Sequence, residues 1–244
     1  MAFFTILNNL FNVISNEKFN LNQLIVNFGQ DYQKAFAVYN QIRDDTKHRL
    51  ATFNHLTEEI LKGTYVYDLL GGYIQQDGFQ TKLADGSSGQ QEFLPVYMIL
   101  RHYLLSGHEQ GHLYIEEPEA HLSFKNQGLI SKLIAMLLQN KIKVLITTHS
   151  DFLIYSINNL ILKNMILKNK DKIQKIDFDD DISIDYKKVA LYNFILNSNN
   201  KSSISKIKII EDGIKSDYIF NSIYEVTKTK NNLLDMLDSI NANN

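Results

Sequence analysis

Two short apolar runs, Leu113-Tyr114-Ile115 and Val144-Leu145-Ile146, flank a stretch in which Leu129, Ile130, Leu133, Ile134, Leu137 and Leu138 fall on one face of a helix. Strand, helix and strand within about 35 residues form a βαβ unit, which commits the chain to parallel strands joined by a right-handed crossover. Both runs read as buried strands of an α/β sheet.

Ligands of open parallel sheets gather beyond the carboxyl ends of the strands. The first run ends in Glu116-Glu117-Pro118-Glu119 and the second in Thr148-His149-Ser150. One of two adjacent carboxylates can hold a divalent cation through water, while the other, pointing elsewhere, orients and deprotonates a nucleophilic water. A histidine at the neighbouring strand end can donate a hydrogen bond to a phosphate oxygen. A solvated strand end with one structural histidine would explain either run by itself, but two such ends in one βαβ unit favour a site. Upstream, Asp85-Gly86-Ser87-Ser88-Gly89-Gln90-Gln91-Glu92 precedes an apolar helix over Phe93 to Leu105. Ser88 and Gln91 have capping-box spacing. Small hydroxyls, a glycine and free backbone N–H groups at a helix start favour an anion. The plain alternative is an ordinary cap after a loop. Pro95 removes the bond to the Gln91 carbonyl and should bend the helix near its start.

Elsewhere the pattern is mostly helical at first. Phe36, Tyr39, Ile42, Leu50, Phe53, Leu56 and Ile60 recur at helical spacing, and Gly63 ends the run. Thr64 to Tyr67 and Tyr73 to Gln75 read as a hairpin about the turn Asp68 to Gly72, with Phe79 to Leu83 as a third strand. Phe152 to Leu162 reads as a helix. A Lys/Asn-rich segment (163–175) and an acidic loop (177–181) follow, then strands over Val189 to Ile195 and Ile204 to Ile210, and a helix over Tyr218 to Val226. The expected domains are a helical segment 1–62, a central part 63–162 and an extension 163–244.

The 244 residues contain no cysteine, which excludes a disulfide scaffold, a thiolate zinc site and a cysteine nucleophile. A formal net charge of −2 gives no global basic field, so nucleic-acid contact stays undecided. Met1 to Ile14 is apolar but lacks the basic start of a secretory signal, and reads as a buried helix. The longest apolar run, Phe93 to Leu100, falls well short of the roughly 20 residues that span a bilayer, so the expected location is cytoplasmic with no membrane partner.

The order S-S-G-Q-Q-E, then L-Y-I-E-E-P-E-A-H-L, then T-T-H-S resembles the ABC-type ATPases, closest to the AAA-labelled RecF/SMC/OLD-like branch that acts in DNA repair and phage defence. The resemblance is strong over Lys62 to Leu162. It implies an α/β fold: a partial P-loop NTPase (ABC ATPase-like) parallel sheet with flanking helices, a helical N-terminal segment and a small β extension at the C-terminus. By resemblance, Ser87, Ser88, Gly89 and Gln90 form the signature motif that contacts the γ-phosphate of ATP held by an opposing subunit. Glu116 is the Walker B acid that holds Mg²⁺ through water, in a place where Asp is commoner. Glu117 is the general base, His149 the switch histidine and Thr148 a positional residue. Glu119, Ala120 and His121 fall in the dimer-contacting D-loop.

No G-x-x-x-x-G-K-[ST] motif occurs in the sequence. That motif supplies the phosphate cradle, the lysine and a hydroxyl ligand to Mg²⁺. The chain therefore reads as the C-terminal half of an ATPase that needs a P-loop-bearing subunit or a dimer, and is expected to be inactive by itself. The alternative is a non-catalytic assembly or regulatory subunit, or a truncated relic. Ile209 to Asp217 has a faint Toprim-like start, with its glycine displaced by one residue, and reads better as strand, turn and helix. Lys163, Lys168, Lys170 and Lys172 read as a solvated face, and Asp177, Asp179, Asp180 and Asp181 as a solvated loop. His102, His108 and His112 lack the carboxylate pattern of a zinc site.

Overall fold

The computed structural model describes residues 23–39, 50–68, 71–106, 111–169, 178, 180–196, 201–215, 227–231 and 233. The expected helices at Met1 to Ile14 and Tyr218 to Val226, as well as Lys170, Lys172, Asp177, Asp179 and His108, lie outside these residues. The chain divides into two compact units, Met1–Ser156 and Ile157–Asn244. The fold is α/β, and among the described residues it has one parallel strand pair, helices, and small antiparallel sheets.

In the first unit, the helical pattern that reads as one run is two helices, α1 (Gln23–Tyr39) and α2 (Ala51–Leu61). The buried positions of α2, Phe53, Leu56, Thr57, Ile60 and Leu61, repeat at three and four residues and form its core stripe. Lys62, with φ 59°, takes the left-handed position that ends α2, and its N–H reaches the Glu58 carbonyl. Gly63 was expected in that role. It is glycine for another reason: with φ 152°, a Cβ there would stand 2.5 Å from the Gln75 carbonyl oxygen. What excludes a side chain is the close approach of a strand.

Three antiparallel strands follow, β1 (Thr64–Asp68), β2 (Gly71–Gln76) and β3 (Phe79–Lys82), with the buried pair Tyr65 and Ile74 in register. Their inner face joins an aromatic core. Tyr39 donates its hydroxyl to the Tyr65 carbonyl at 2.7 Å, the Phe53 and Tyr97 rings stack at 5.7 Å, and the Arg101 guanidinium lies 4.6 Å from the centre of the Tyr39 ring. Burial pushes the Tyr32 phenol up to about 12 and raises those of Tyr65 and Tyr97 as well.

Helix α3 (Ser88–Ser106) runs through Pro95, which is fully buried. β4 (His112–Glu116), α4 (Phe124–Gln139) and β5 (Lys143–Thr147) form the βαβ unit, with parallel pairing from His112–Lys143 to Glu116–Thr147. Ser123 caps α4 by accepting from the Asn126 N–H. Ile130, Leu133, Ile134 and Leu137 are buried, whereas Leu129 and Leu138 are half-buried at the edges of that stripe.

The two strands are not the buried strands expected from their apolar runs. Both alternate exposed and half-buried, and the register partners Tyr114 and Leu145 are 70% and 61% exposed. The reason is geometric. A parallel strand is buried when both sheet faces are covered, and on this pair the face carrying Tyr114 and Leu145 is open to solvent.

The unit boundary falls within helix α5 (Asp151–Lys168), which outlasts the expected Phe152 to Leu162 by a turn and a half of lysine-bearing helix. In the second unit, Leu160 and Ile161 are buried, as are Ile182 and Ile184 of the segment that bonds back to the helix. Lys163 pairs with Asp180, and Lys168 with Asp185 at 2.8 Å, where the ammonium holds the Asp185 carboxyl below its usual range. Two of the four lysines are thus neutralised by acids of the neighbouring loop. β6 (Leu191–Leu196), β7 (Ser202–Ile210) and β8 (Gly213–Lys215) form an antiparallel sheet. After the turn at Glu211 and Asp212 comes a further strand, β8, ahead of the segment for which a helix is expected. The Asn158 side chain fixes this strand by accepting from the Ile214 N–H at 2.8 Å.

Candidate active site at the strand ends

Parallel pairing brings the two polar strand ends side by side. Glu116 is the last residue of β4 and the register partner of Thr147, on the exposed sheet face. The Glu117 N–H continues the ladder to the Thr147 carbonyl at 2.9 Å, and then the backbone turns sharply. Glu117 has φ 45°, left-handed in a residue with a Cβ, which costs roughly 1–2 kcal/mol. Its Oε1 lies 3.4 Å from His149 Nε2, with the glutamate half-exposed and the imidazole 89% exposed. The contact is open to water and easily exchanged for another partner.

Glu119 does the opposite. Only 8% exposed, it turns inward, and its Oε1 accepts from both the Thr148 hydroxyl and the His149 N–H, the latter at 3.1 Å. The Thr148 hydroxyl also accepts from the Ser150 N–H at 2.9 Å. Ser150 in turn donates its hydroxyl to Gln127 Oε1 at 2.7 Å and accepts from the Leu153 N–H at 3.1 Å, capping α5. The chain of bonds from Glu119 to Gln127 therefore fixes the backbone of His149 without engaging its ring, which lies against Glu117. Sequence reading missed Gln127, whose only signal is a polar side chain on the buried face of α4. It placed Glu119 in a dimer-contacting loop and missed its internal role.

At the start of α3, the reciprocal pair is Ser87 with Gln90, not Ser88 with Gln91. The Ser87 N–H donates to Gln90 Oε1 at 2.9 Å, and the Gln90 N–H to Ser87 Oγ at 3.3 Å. The capping box is one residue earlier because the helix begins at Ser88, which makes Ser87 the cap. Gln90 Nε2 also reaches the Leu61 carbonyl at 2.5 Å, and Gln91 Nε2 the Gly86 carbonyl at 2.8 Å. Ser87 and Ser88 stay exposed. Gly89 is buried against the loop after β4: a Cβ there would lie 2.7 Å from the His121 carbonyl oxygen. His121 Nε2 lies 3.7 Å from Glu92 Oε1.

A cleft of about 300 Å³ joins these parts. Gly89 and Glu92 line it on one side, Glu116 and Glu117 on another, and Phe93 and Ile134 contribute to its apolar wall. His149 is not among the lining residues. The structure thus brings Glu117 to His149, and Gly89 to the loop after Glu117, within one unit.

Residues 3–154 match the family model of the AAA ATPase domain. The chain belongs to that family. No curated protein matches the sequence. AAA ATPase domains act on nucleotide, typically with Mg²⁺, and the oxygen donors here suit that ion. Mg²⁺ keeps several waters and takes one or two carboxylates, rather than a closed protein cage. Glu116 offers one such carboxylate at the end of β4, opposite Thr147. No helix among the described residues is long and apolar enough to cross a membrane.

Proposed function

We propose that the chain supplies the hydrolytic face of an ABC-type ATPase site, in the RecF/SMC/OLD-like branch, and that the phosphate cradle comes from a P-loop-bearing subunit or a dimer partner. The observation that carries this reading is the pairing of Glu117 with His149 at the ends of adjacent parallel strands. Glu117 Oε1 accepts the proton of the attacking water as it closes on the γ-phosphate. His149 Nε2 leaves Glu117 and donates to a γ-phosphate oxygen, stabilising charge where it develops. Glu116 would hold a hydrated Mg²⁺, which would neutralise phosphate charge. Ser87, Ser88, Gly89 and Gln90 present their helix start to the triphosphate of the opposing subunit. The resemblance to the RecF/SMC/OLD-like branch supports a role of this ATP cycle in DNA repair or phage defence.

The test is ATP binding and phosphate release with and without a P-loop-bearing partner. The chain by itself is expected to bind ATP weakly and release no phosphate above background, and turnover is expected in the mixture. Steady hydrolysis by the pure chain would overturn the division of labour.

A further inference from the structure

The second unit carries a surface that ATP hydrolysis does not use. Tyr192 pairs with Lys206 and Phe194 with Ile204 across β6 and β7, and Lys208 follows two residues after Lys206. Side chains alternate along strands, so these five residues stand on one face. That face is open to solvent: Phe194 is 71% exposed, Ile204 63% and Tyr192 50%, and both lysines are exposed. On the opposite face Ile207 and Ile209 are half-buried, and Ile214 is buried. From Tyr186 to Ile210 the chain has five lysines and no Asp or Glu, an excess of positive charge bounded by Asp185 and by Glu211 and Asp212, the last of which feels the charge of Lys208. Lys215, opposite Lys208, is paired with Asp212 at 2.7 Å and is not counted.

We propose that this face binds single-stranded nucleic acid, with Tyr192 and Phe194 as stacking platforms and Lys206 and Lys208 as phosphate contacts. Same-face residues along a strand are about 6.6 Å apart, which spaces the two rings for the splayed bases of an extended strand. A duplex hides its base faces and cannot use them. Lysines beside the rings meet the phosphates that a base on a ring brings with it, whereas a second copy of this face would set lysine against lysine. The ligand class follows from that combination of ring and charge. It does not rest on the ATPase reading.

The experiment is fluorescence anisotropy of the full chain with labelled oligothymidylate and oligouridylate of about 15 nucleotides, with a blunt duplex as a third arm. Both single strands are expected to bind in a salt-dependent way, and the duplex more weakly. Tyr192→Ala with Phe194→Ala should weaken binding by about tenfold or more, and Tyr192→Phe with Phe194→Tyr should retain it. Lys206→Gln should lower the slope of log affinity against log salt by about 0.7. The rings are exposed, so the variants should keep the wild-type circular dichroism. Failure of either single strand to bind at low salt, or unchanged binding in the double alanine variant, would overturn the proposal. So would a double alanine variant that dissociates a dimer when no oligonucleotide binds, which would make the face a protein contact.

Discussion

The ends and the middles of the same two strands are held in opposite ways. At the carboxyl ends of β4 and β5, Glu119, Thr148, Ser150 and Gln127 form a closed run of hydrogen bonds around His149. Two residue pairs further into the sheet than Glu116 and Thr147, Tyr114 and Leu145 stand exposed side by side. The site is thus organised by hydrogen bonds that tie the loop after β4 and helix α4 to the start of α5, while among the described residues the sheet face carrying Tyr114 and Leu145 is open. The two neighbouring glutamates make the same point: Glu117 faces solvent and an imidazole, whereas Glu119 faces backbone.

The sharpest way to separate the two kinds of contact is at His149. His149→Ala in the partnered enzyme should lower turnover by about 10²-fold or more, with ATP binding much less affected, as measured by phosphate release and nucleotide titration. A loss confined to ATP binding would assign the ring to the ground state. Next comes the brace. Glu119→Ala leaves the Thr148 hydroxyl and the His149 N–H without their acceptor and should destabilise the first unit by about 2–3 kcal/mol in urea unfolding. Glu119→Gln keeps an acceptor oxygen and should recover most of that. Equal losses in both variants would mean that packing, not hydrogen bonding, holds the loop.

A smaller effect of opposite sign is expected at Glu117. Its left-handed φ is relieved in Glu117→Gly, which should raise stability by about 1 kcal/mol while abolishing turnover. A drop in melting temperature would show that the side chain stabilises the fold. Smallest of all, Tyr114→Thr with Leu145→Thr should change the stability of the isolated chain by no more than about 0.5 kcal/mol, yet weaken association with a P-loop-bearing partner. A large loss of stability would mean that the face is already covered.

Much of this was legible in the sequence, for reasons that differ by element. The βαβ unit could be read because α4 carries its apolar residues at helical spacing and both strands end abruptly in polar residues. Parallel register brings the two polar strand ends side by side, and the left-handed turn at Glu117 completes its approach to His149. Burial of the strands could not be read, because Tyr114 and Leu145 are apolar whether or not anything covers them. The capping pair at α3 was ambiguous by one residue, since Ser87 and Ser88 each have a glutamine three positions on. Gly63 was misread because a left-handed turn and a close strand approach both select glycine. Gln127 and the inward turn of Glu119 depend on long-range contacts that no local pattern encodes.

The central claim is that Glu117 activates water at a phosphate that His149 contacts. Its most direct test is phosphate release and ATP binding by the complex with a P-loop-bearing partner, comparing the wild-type chain with Glu117→Gln. Turnover is expected to fall by about 10²–10⁴-fold with ATP binding retained. Wild-type turnover from the Glu117→Gln complex would contradict it.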